Sequence, residues 1–278
     1  MIDNNDRLPL PLANKSLGQH FLKDQNIIQT ICADFAHEPH RPEAMIEVGP
    51  GPGILTETLA LRSQKEGLPF FVIEKDDRFP PYLLQFLREE QITMTDALAL
   101  QLSTFFQEKK IEQKKIWLVS NLPYNISTPL LINFLKAPEI KYLTLMFQKE
   151  VADKVFAFST SKNFMGSLMV MSQTYFDCEL LCKVPPGAFS PPPKVDSAVL
   201  SMKRKETPLV PLDEFLILEK FVRHLFSQKR KQLGGHLKSS YPVEKISQVF
   251  NQLNIPLTIR AEALTLHQVL DLYRNFKS

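Results

Sequence analysis

The spacing of apolar positions changes several times along the chain, and each change marks a different kind of element. After a polar lead of about 23 residues, Ile27, Ile28, Ile31, Cys32 and Phe35 recur at helical spacing. From residue 44 short β-rich runs alternate with amphipathic stretches. Strands are predicted at 44–49, 69–74, 91–95, 115–120 and 142–147, with helices at 54–63, 77–90, 127–136 and 149–158. Such alternation predicts βαβ units and an α/β fold with a doubly wound, mostly parallel sheet. A helix at 166–176 precedes two runs, 177–184 and 196–204, that read as antiparallel edge strands. The loop between them, Val184-Pro-Pro-Gly-Ala-Phe-Ser-Pro-Pro-Pro193, is too rich in proline for sheet or helix. Beyond Pro208 the pattern is helical only, at 212–227, 243–253 and 262–276. Two domains are therefore expected, 1–206 and a small all-helical 207–278.

Composition narrows the class. The 278 residues are 44% hydrophobic and 23% charged, with a formal net charge of +3, which excludes a disordered, collagen-like or coiled-coil chain. That mild charge conceals a division: residues 1–182 hold 18 basic and 22 acidic side chains, whereas 183–278 hold 15 and 8. The basic C-terminal part is thus the candidate for touching a polyanion. Three cysteines without a C-x-x-C pair suggest neither a disulfide framework nor a zinc ribbon, and fit a reducing compartment. The start of the chain is acidic and lacks an apolar core of the secretory kind. The uncharged run 116–135 contains six Ser, Thr or Asn residues and two prolines, which argues against a membrane span. A soluble cytoplasmic protein is expected.

Glycine is scarce, with 9 residues in all, yet three of them fall at 49, 51 and 53. The run Met45-Ile-Glu-Val-Gly-Pro-Gly-Pro-Gly53 places a glycine turn at the carboxyl end of the first long strand, where open α/β sheets bind ligands. A dinucleotide fingerprint needs a third glycine five positions after the first, and that position is Ile54. A phosphate loop would need G-K-[ST], which is absent here. The second strand ends at Glu74, suited to accept from both ribose hydroxyls, and the third at Thr95-Asp96, an acceptor for an adenine amino group. Ribose and base acceptors without a phosphate cradle describe a phosphate-free adenosine compound, of which S-adenosylmethionine is the common one.

The fourth strand ends Asn121-Leu-Pro-Tyr124, which resembles the motif of methylases acting on the adenine amino group. Around it stand Lys15-Ser-Leu-Gly-Gln-His-Phe-Leu22, Glu47-Val-Gly-Pro-Gly51, Phe147-Gln-Lys-Glu-Val151, Val184-Pro-Pro-Gly-Ala-Phe189, Pro191-Pro-Pro-Lys-Val-Asp-Ser197 and Arg260-Ala-Glu262. Together, over residues 15–270, these resemble the bacterial small-subunit ribosomal RNA adenine N6,N6-dimethyltransferase family, whose loss gives kasugamycin resistance. The resemblance implies a Rossmann-like methyltransferase sheet in 1–206, and S-adenosylmethionine bound by His20, Leu22, Gly49, Gly51, Glu74, Asp96 and Asn121. It implies as substrate two adjacent adenosines near the 3′ end of 16S rRNA, within a 30S precursor, each receiving two methyl groups. Asn121, Leu122, Pro123, Tyr124 and Phe189 would form the catalytic face, with Tyr124 and Phe189 on opposite sides of the unstacked base. Phe226-Ser-Gln-Lys-Arg-Lys231 matches the family's basic segment, so Lys229, Arg230 and Lys231 would contact RNA phosphates; after it Gly234-Gly235-His236 departs from the family pattern. The protein is expected to be a monomer.

Other classes fare less well. A nicotinamide oxidoreductase would share the sheet and the acid, but not this glycine spacing or Asn-Leu-Pro-Tyr. A non-catalytic RNA-binding relative would not need complete cofactor and amino-group motifs. The large-subunit macrolide-resistance methylases differ at the proline loop and the C-terminal extension. His37-Glu-Pro-His40 lacks convergent partners, so no metal is expected. Cys178 and Cys182 are expected to pack a strand, and His224, His236 and His267 show no nucleophile-base pairing.

Overall fold

The computed structural model describes residues 8–14, 18–157, 165–228 and 231–277. In chain order the first elements are β1 (Phe21–Leu22), α1 (Gln25–Ala33), β2 (Ala44–Val48), α2 (Thr56–Glu66), β3 (Phe70–Glu74), α3 (Pro80–Leu83), β4 (Ile92–Met94) and α4 (Leu102–Glu108). There follow β5 (Ile116–Asn121), α5 (Ser127–Lys136), β6 (Ile140–Gln148), α6 (Lys149–Val155), α7 (Ser167–Tyr175), β7 (Phe176–Val184), β8 (Phe189–Ser190) and β9 (Ser197–Arg204). The last are α8 (Phe215–Leu225), α9 (Leu233–Leu237), α10 (Val243–Gln252) and α11 (Leu266–Phe276).

Seven strands form one sheet in the order β4-β3-β2-β5-β6-β9-β7, parallel from β4 to β6, with β9 antiparallel to β6. The order reverses between β2 and β5, so a crevice is expected outside the carboxyl ends of those two strands. Every residue of β2 is buried, as an apolar strand covered on both faces must be, and Glu47 is its one ionisable exception. A second, two-stranded sheet pairs β1 with β8, Leu22 opposite Phe189.

Local chemistry accounts for the element ends. Asp24 caps α1 by accepting from Asn26 and Ile27 N–H, and α2 stops at Gly67 in the left-handed conformation. The helix expected over 77–90 is cut to the single turn Pro80–Leu83. Two consecutive prolines contribute no N–H donors, and Arg88 is already extended. Periodicity also overshot at 212 and 262, where the chain first makes 3₁₀ turns, Leu212–Glu214 and Ala261–Ala263; Thr265 then caps α11 in a reciprocal box with Gln268. The short elements α4, α9, β1 and β8 were not anticipated.

The chain divides into two compact units, 1–152 with 179–203, and 153–178 with 204–278. The expected boundary at 206/207 lies close to the last of these breaks, but 153–178, including α7, groups with the C-terminal helices. Within the first unit a buried polar chain runs under the sheet. Trp117 Nε1 donates to Thr144 Oγ1 (2.8 Å), Thr144 Oγ1 to Asp34 Oδ2 (2.6 Å) and Ser201 Oγ to Asp34 Oδ1 (3.1 Å). Burial pushes the Asp34 carboxyl up, and the two hydroxyls oppose that shift. Within the second unit Tyr175 stacks on Phe215 (5.1 Å), Phe221 meets Tyr273 (5.6 Å), and the Tyr273 hydroxyl donates to Glu214 (2.6 Å). Gly234 sits in α9, where a Cβ would fall 2.8 Å from the Leu257 carbonyl oxygen. Close backbone approach therefore explains this glycine.

Candidate active site

The carboxyl ends of β2, β3, β4 and β5 open on a single pocket in the first unit. Its wall on the β2 side is the glycine turn, with φ of 69°, 57° and 87° at Gly49, Gly51 and Gly53. Side chains rarely adopt that left-handed backbone, so glycine is needed there. Gly49 and Gly51 line the pocket, while at Gly53 an added Cβ would meet the Phe86 ring at 3.0 Å.

The turn is held by the next strand's acid. Gly51 N–H donates to Glu74 Oε2 (2.9 Å), and Lys75 and Asp76 N–H donate to Oε1 (2.7 and 2.8 Å). Three of the roughly four acceptor positions on this carboxylate are thus filled, and the remaining one is on Oε2. Burial pushes the Glu74 carboxyl up, against the pull of those three N–H groups. Asp96, at the end of β4, accepts from Lys75 Nζ (2.7 Å) and Leu98 N–H (2.9 Å), which lowers its pKa. Glu47 also faces the pocket. Thr56 Oγ1 donates to its Oε2 (2.7 Å), and burial pushes its carboxyl up to about 8, Thr56 opposing and the neighbouring Glu74 charge adding.

The opposite wall comes from the end of β5 and from residues 18–22. Asn121 Nδ2 donates to the His20 carbonyl (3.2 Å), leaving Oδ1 as the acceptor end of that amide. The Tyr124 hydroxyl is paired with Ser197 Oγ (2.8 Å), and the His20 ring stacks over Tyr124 at 5.7 Å and 27°. His20 Nδ1 lies 2.8 Å from the Pro191 carbonyl, which only accepts, so that nitrogen donates. Gln19 ties the segment down by donating to Asp76 (2.8 Å), itself held at about 2 chiefly by hydrogen bonds from Arg78.

The structure thus brings together His20, Leu22, Gly49, Gly51, Glu74, Asp96, Asn121, Leu122, Pro123 and Tyr124 around one pocket. Phe189 is not part of its lining: it is 1% exposed, packed in the core beside Leu22, and meets the His20 ring edge-on at 6.5 Å. The ring that faces Tyr124 is that of His20. Lys229 and Arg230 lie outside the described residues, and Lys231 is exposed. Sequence reading gave no role to Glu47, although an acid inside the apolar run Met45-Ile-Glu-Val48 was the available signal. It also could not show that Lys75, adjacent to Glu74, pairs with Asp96.

The lining is acidic. Among the described residues, Glu47, Glu74 and Asp96 are opposed by one lysine, Lys75, already paired with Asp96. Such a pocket suits a cationic, hydroxyl-bearing and amine-bearing ligand and disfavours phosphates, which fits S-adenosylmethionine. Among the described residues no group of three or more His, Cys, Asp or Glu gathers to hold a metal, and no helix is long and apolar enough to cross a membrane.

Comparison with known proteins agrees with this geometry. The family model described as ribosomal RNA adenine dimethylase matches residues 11–278. A relative from Chlamydia caviae, named ribosomal RNA small subunit methyltransferase A, is 39% identical over 268 residues, covering 95% of this chain and 92% of the relative. The crystal structure of the 23S rRNA methyltransferase ErmE is similar with a TM-score of 0.68 and 25% identity, over 93% of this chain and 100% of that one. A dimethyladenosine transferase from Plasmodium falciparum shares the fold, with a TM-score of 0.71 and 24% identity over 93% and 98% of the two chains.

Proposed function

Because the chain belongs to the ribosomal RNA adenine dimethylase family, we propose that it dimethylates two adjacent adenosines near the 3′ end of 16S rRNA. The general activity is that of an S-adenosylmethionine-dependent rRNA adenine dimethyltransferase. The observation that carries the residue-level reading is the single pocket that joins the acidic cofactor wall to Asn121-Leu-Pro-Tyr124. The small subunit is favoured over the large by the higher identity to a small-subunit enzyme, 39% against 25% for the 23S methyltransferase.

The bound S-adenosylmethionine supplies an activated methyl group on its sulfonium. Glu74 would take one ribose hydroxyl on the acceptor left on Oε2, fewer than the two expected from sequence. Asp96 would accept from the adenine amino group. The target amine is a poor nucleophile because its lone pair is delocalised into the ring. Asn121 Oδ1 and the Leu122 carbonyl would accept its two hydrogens and favour the pyramidal nitrogen of the transition state. Pro123, with no N–H and a fixed φ, would hold that carbonyl inward. Tyr124, anchored through its hydroxyl to Ser197, is the stacking face for the unstacked base. His20 is the ring nearest to it, and Phe189 supports His20 from the core. The first unit would carry the chemistry and the second, helical one would contact RNA through Lys229, Arg230 and Lys231, in a cytoplasmic monomer acting on a 30S precursor.

The test incubates the protein with radiolabelled S-adenosylmethionine and 30S subunits from a strain lacking these methyl groups, then maps the label. Dimethyladenosine at two neighbouring positions near the 3′ end is expected. Label confined to large-subunit RNA, or to another base, overturns the assignment.

A further inference from the structure

The segment 188–197 reaches both of the rings that face each other beside Asn121. Its first part is stitched to the cofactor wall: Lys23 N–H donates to the Ala188 carbonyl (2.8 Å), Leu22 pairs with Phe189 and Phe21 with Ser190. Next, the Pro191 carbonyl accepts from His20 Nδ1 (2.8 Å), which fixes the ring lying over Tyr124. At its end Ser197 Oγ meets the Tyr124 hydroxyl at 2.8 Å, from 73 residues away in sequence. Ser197 has little freedom of its own. It is 1% exposed, begins β9 opposite Gln148 of β6, and follows a carbonyl, that of Asp196, which accepts from Lys149 N–H (2.9 Å). Tyr124, by contrast, sits in the turn between β5 and α5 and is only half-buried, so the plane of its ring depends on the hydroxyl bond.

We propose that Ser197 is a positioning residue for the target base, holding the Tyr124 ring in the plane on which the base stacks, and that the second methyl transfer depends on it more than the first. The inference rests on the reading of Tyr124 as the stacking face. In the first transfer the amine has two hydrogens, one for Asn121 Oδ1 and one for the Leu122 carbonyl, so two hydrogen bonds and the stack share the alignment. Afterwards the nitrogen bears one methyl and one hydrogen, and only one of the two acceptors can be served. The stack then carries a larger share. In this second step the nitrogen lone pair forms the new N–C bond as the methyl–sulfur bond breaks, the electron pair of that bond stays on sulfur, and the last N–H proton goes to solvent. A ring freed from Ser197 can swing about its side-chain torsions and carry the base with it, and a displacement of ~1 Å at the reacting atoms costs about 10²-fold. Smaller tilts cost less, but the step with one hydrogen bond has less to resist them.

The experiment uses the whole protein with S-adenosylmethionine and 30S subunits lacking these methyl groups, and follows N6-methyladenosine and N6,N6-dimethyladenosine over time by nucleoside mass spectrometry. Ser197→Ala should slow the first transfer by no more than about threefold and the second by about tenfold or more, so that monomethyl product accumulates. Its calorimetric affinity for S-adenosylmethionine should stay within about twofold of wild type. Tyr124→Phe removes the same bond from the other end while keeping the ring, and should give the same product ratio, which keeps the test open should Ser197→Ala fold poorly. The double variant leaves neither hydroxyl without its partner, so it should recover melting temperature lost by the single variants and still accumulate monomethyl product. Equal slowing of both transfers, an unchanged product ratio in the single variants, or a double variant that recovers dimethylation along with stability assigns the bond to folding alone and overturns the inference, while leaving the proposed rRNA dimethylation intact. A wild-type protein that forms neither methylated adenosine overturns both.

Discussion

Replacing Asn121 by alanine separates the two duties that the structure gives this side chain. Its Nδ2 donates to the His20 carbonyl at 3.2 Å, a long bond that belongs at the lower end of the ~0.5–1.5 kcal/mol range for neutral hydrogen bonds. Losing it loosens residues 18–22 along the cofactor wall and should weaken S-adenosylmethionine by roughly twofold to threefold. The other duty is performed by Oδ1, which faces charge that develops only as the amine becomes pyramidal. Removing one preorganised group of that kind costs ~2.7–4 kcal/mol, so single-turnover rates should fall by about 10² to 10³. Asn121 is only half-buried at the strand end, and truncation opens no large core cavity; the melting temperature should barely move. Asn121→Asp retains an acceptor but cannot donate to His20, and it adds a fourth acid to Glu47, Glu74 and Asp96. It should fall between wild type and alanine in rate. Calorimetry for the dissociation constant and rapid-quench methylation of 30S subunits for the rate provide the two readouts. An alanine variant whose whole loss lies in cofactor affinity, with a single-turnover rate within about threefold of wild type, refutes the hydrogen-bond account of amine activation.

Three further perturbations test other parts of the argument. Gly53→Ala must adopt φ of 87° and place its Cβ 3.0 Å from Phe86, so a loss of ~2–3 kcal/mol in urea denaturation and weaker cofactor binding are expected; wild-type stability would show that the turn is not strained by a side chain. Thr144→Val removes the acceptor of the buried Trp117 N–H and one donor to Asp34, and should cost ~3 kcal/mol; a loss below ~1 kcal/mol would mean that the buried chain contributes little. Changing Lys229, Arg230 and Lys231 to glutamine should make the salt dependence of RNA binding shallower by about 2 in logarithmic slope, at about 0.7 per phosphate contact on single strands; an unchanged slope assigns these residues to a solvated surface.

Much of the fold was legible because apolar spacing reports which face is buried. Strands 44–48, 70–74 and 116–121 and helix 127–136 emerged within a residue or two of their predicted bounds, since each is a sustained pattern next to a strong breaker. Pattern failed where few residues carry it. The helix expected at 77–90 had the right apolar spacing, but Pro80 and Pro81 allowed only one turn. The two-residue pair β1 and β8 has no period to read, and exists because Leu22 and Phe189 meet from 167 residues apart. The same holds for the grouping of 153–178 with the C-terminal helices, a matter of contacts distant in sequence.

For the site, the local order of residues was sufficient to name ten of the residues that line the pocket. The glycine turn, Glu74, Asp96 and Asn121 to Tyr124 each stand at the end of a strand, and parallel strands in one sheet must bring such ends to one edge. What each group is free to do depended on neighbours that sequence does not reveal. Glu74 spends three acceptor positions on backbone N–H groups, Phe189 turns into the core while His20 faces Tyr124, and Glu47 is shut in the interior beside the pocket, accepting from the Thr56 hydroxyl. Sequence alone thus determined the longer strands and helices, the edge where chemistry gathers and the adenosine-like character of the ligand, because these follow from periodicity and residue type. Only the tertiary structure decided hydrogen-bond occupancy, burial and protonation, because those depend on atoms that distant segments bring within about 3 Å.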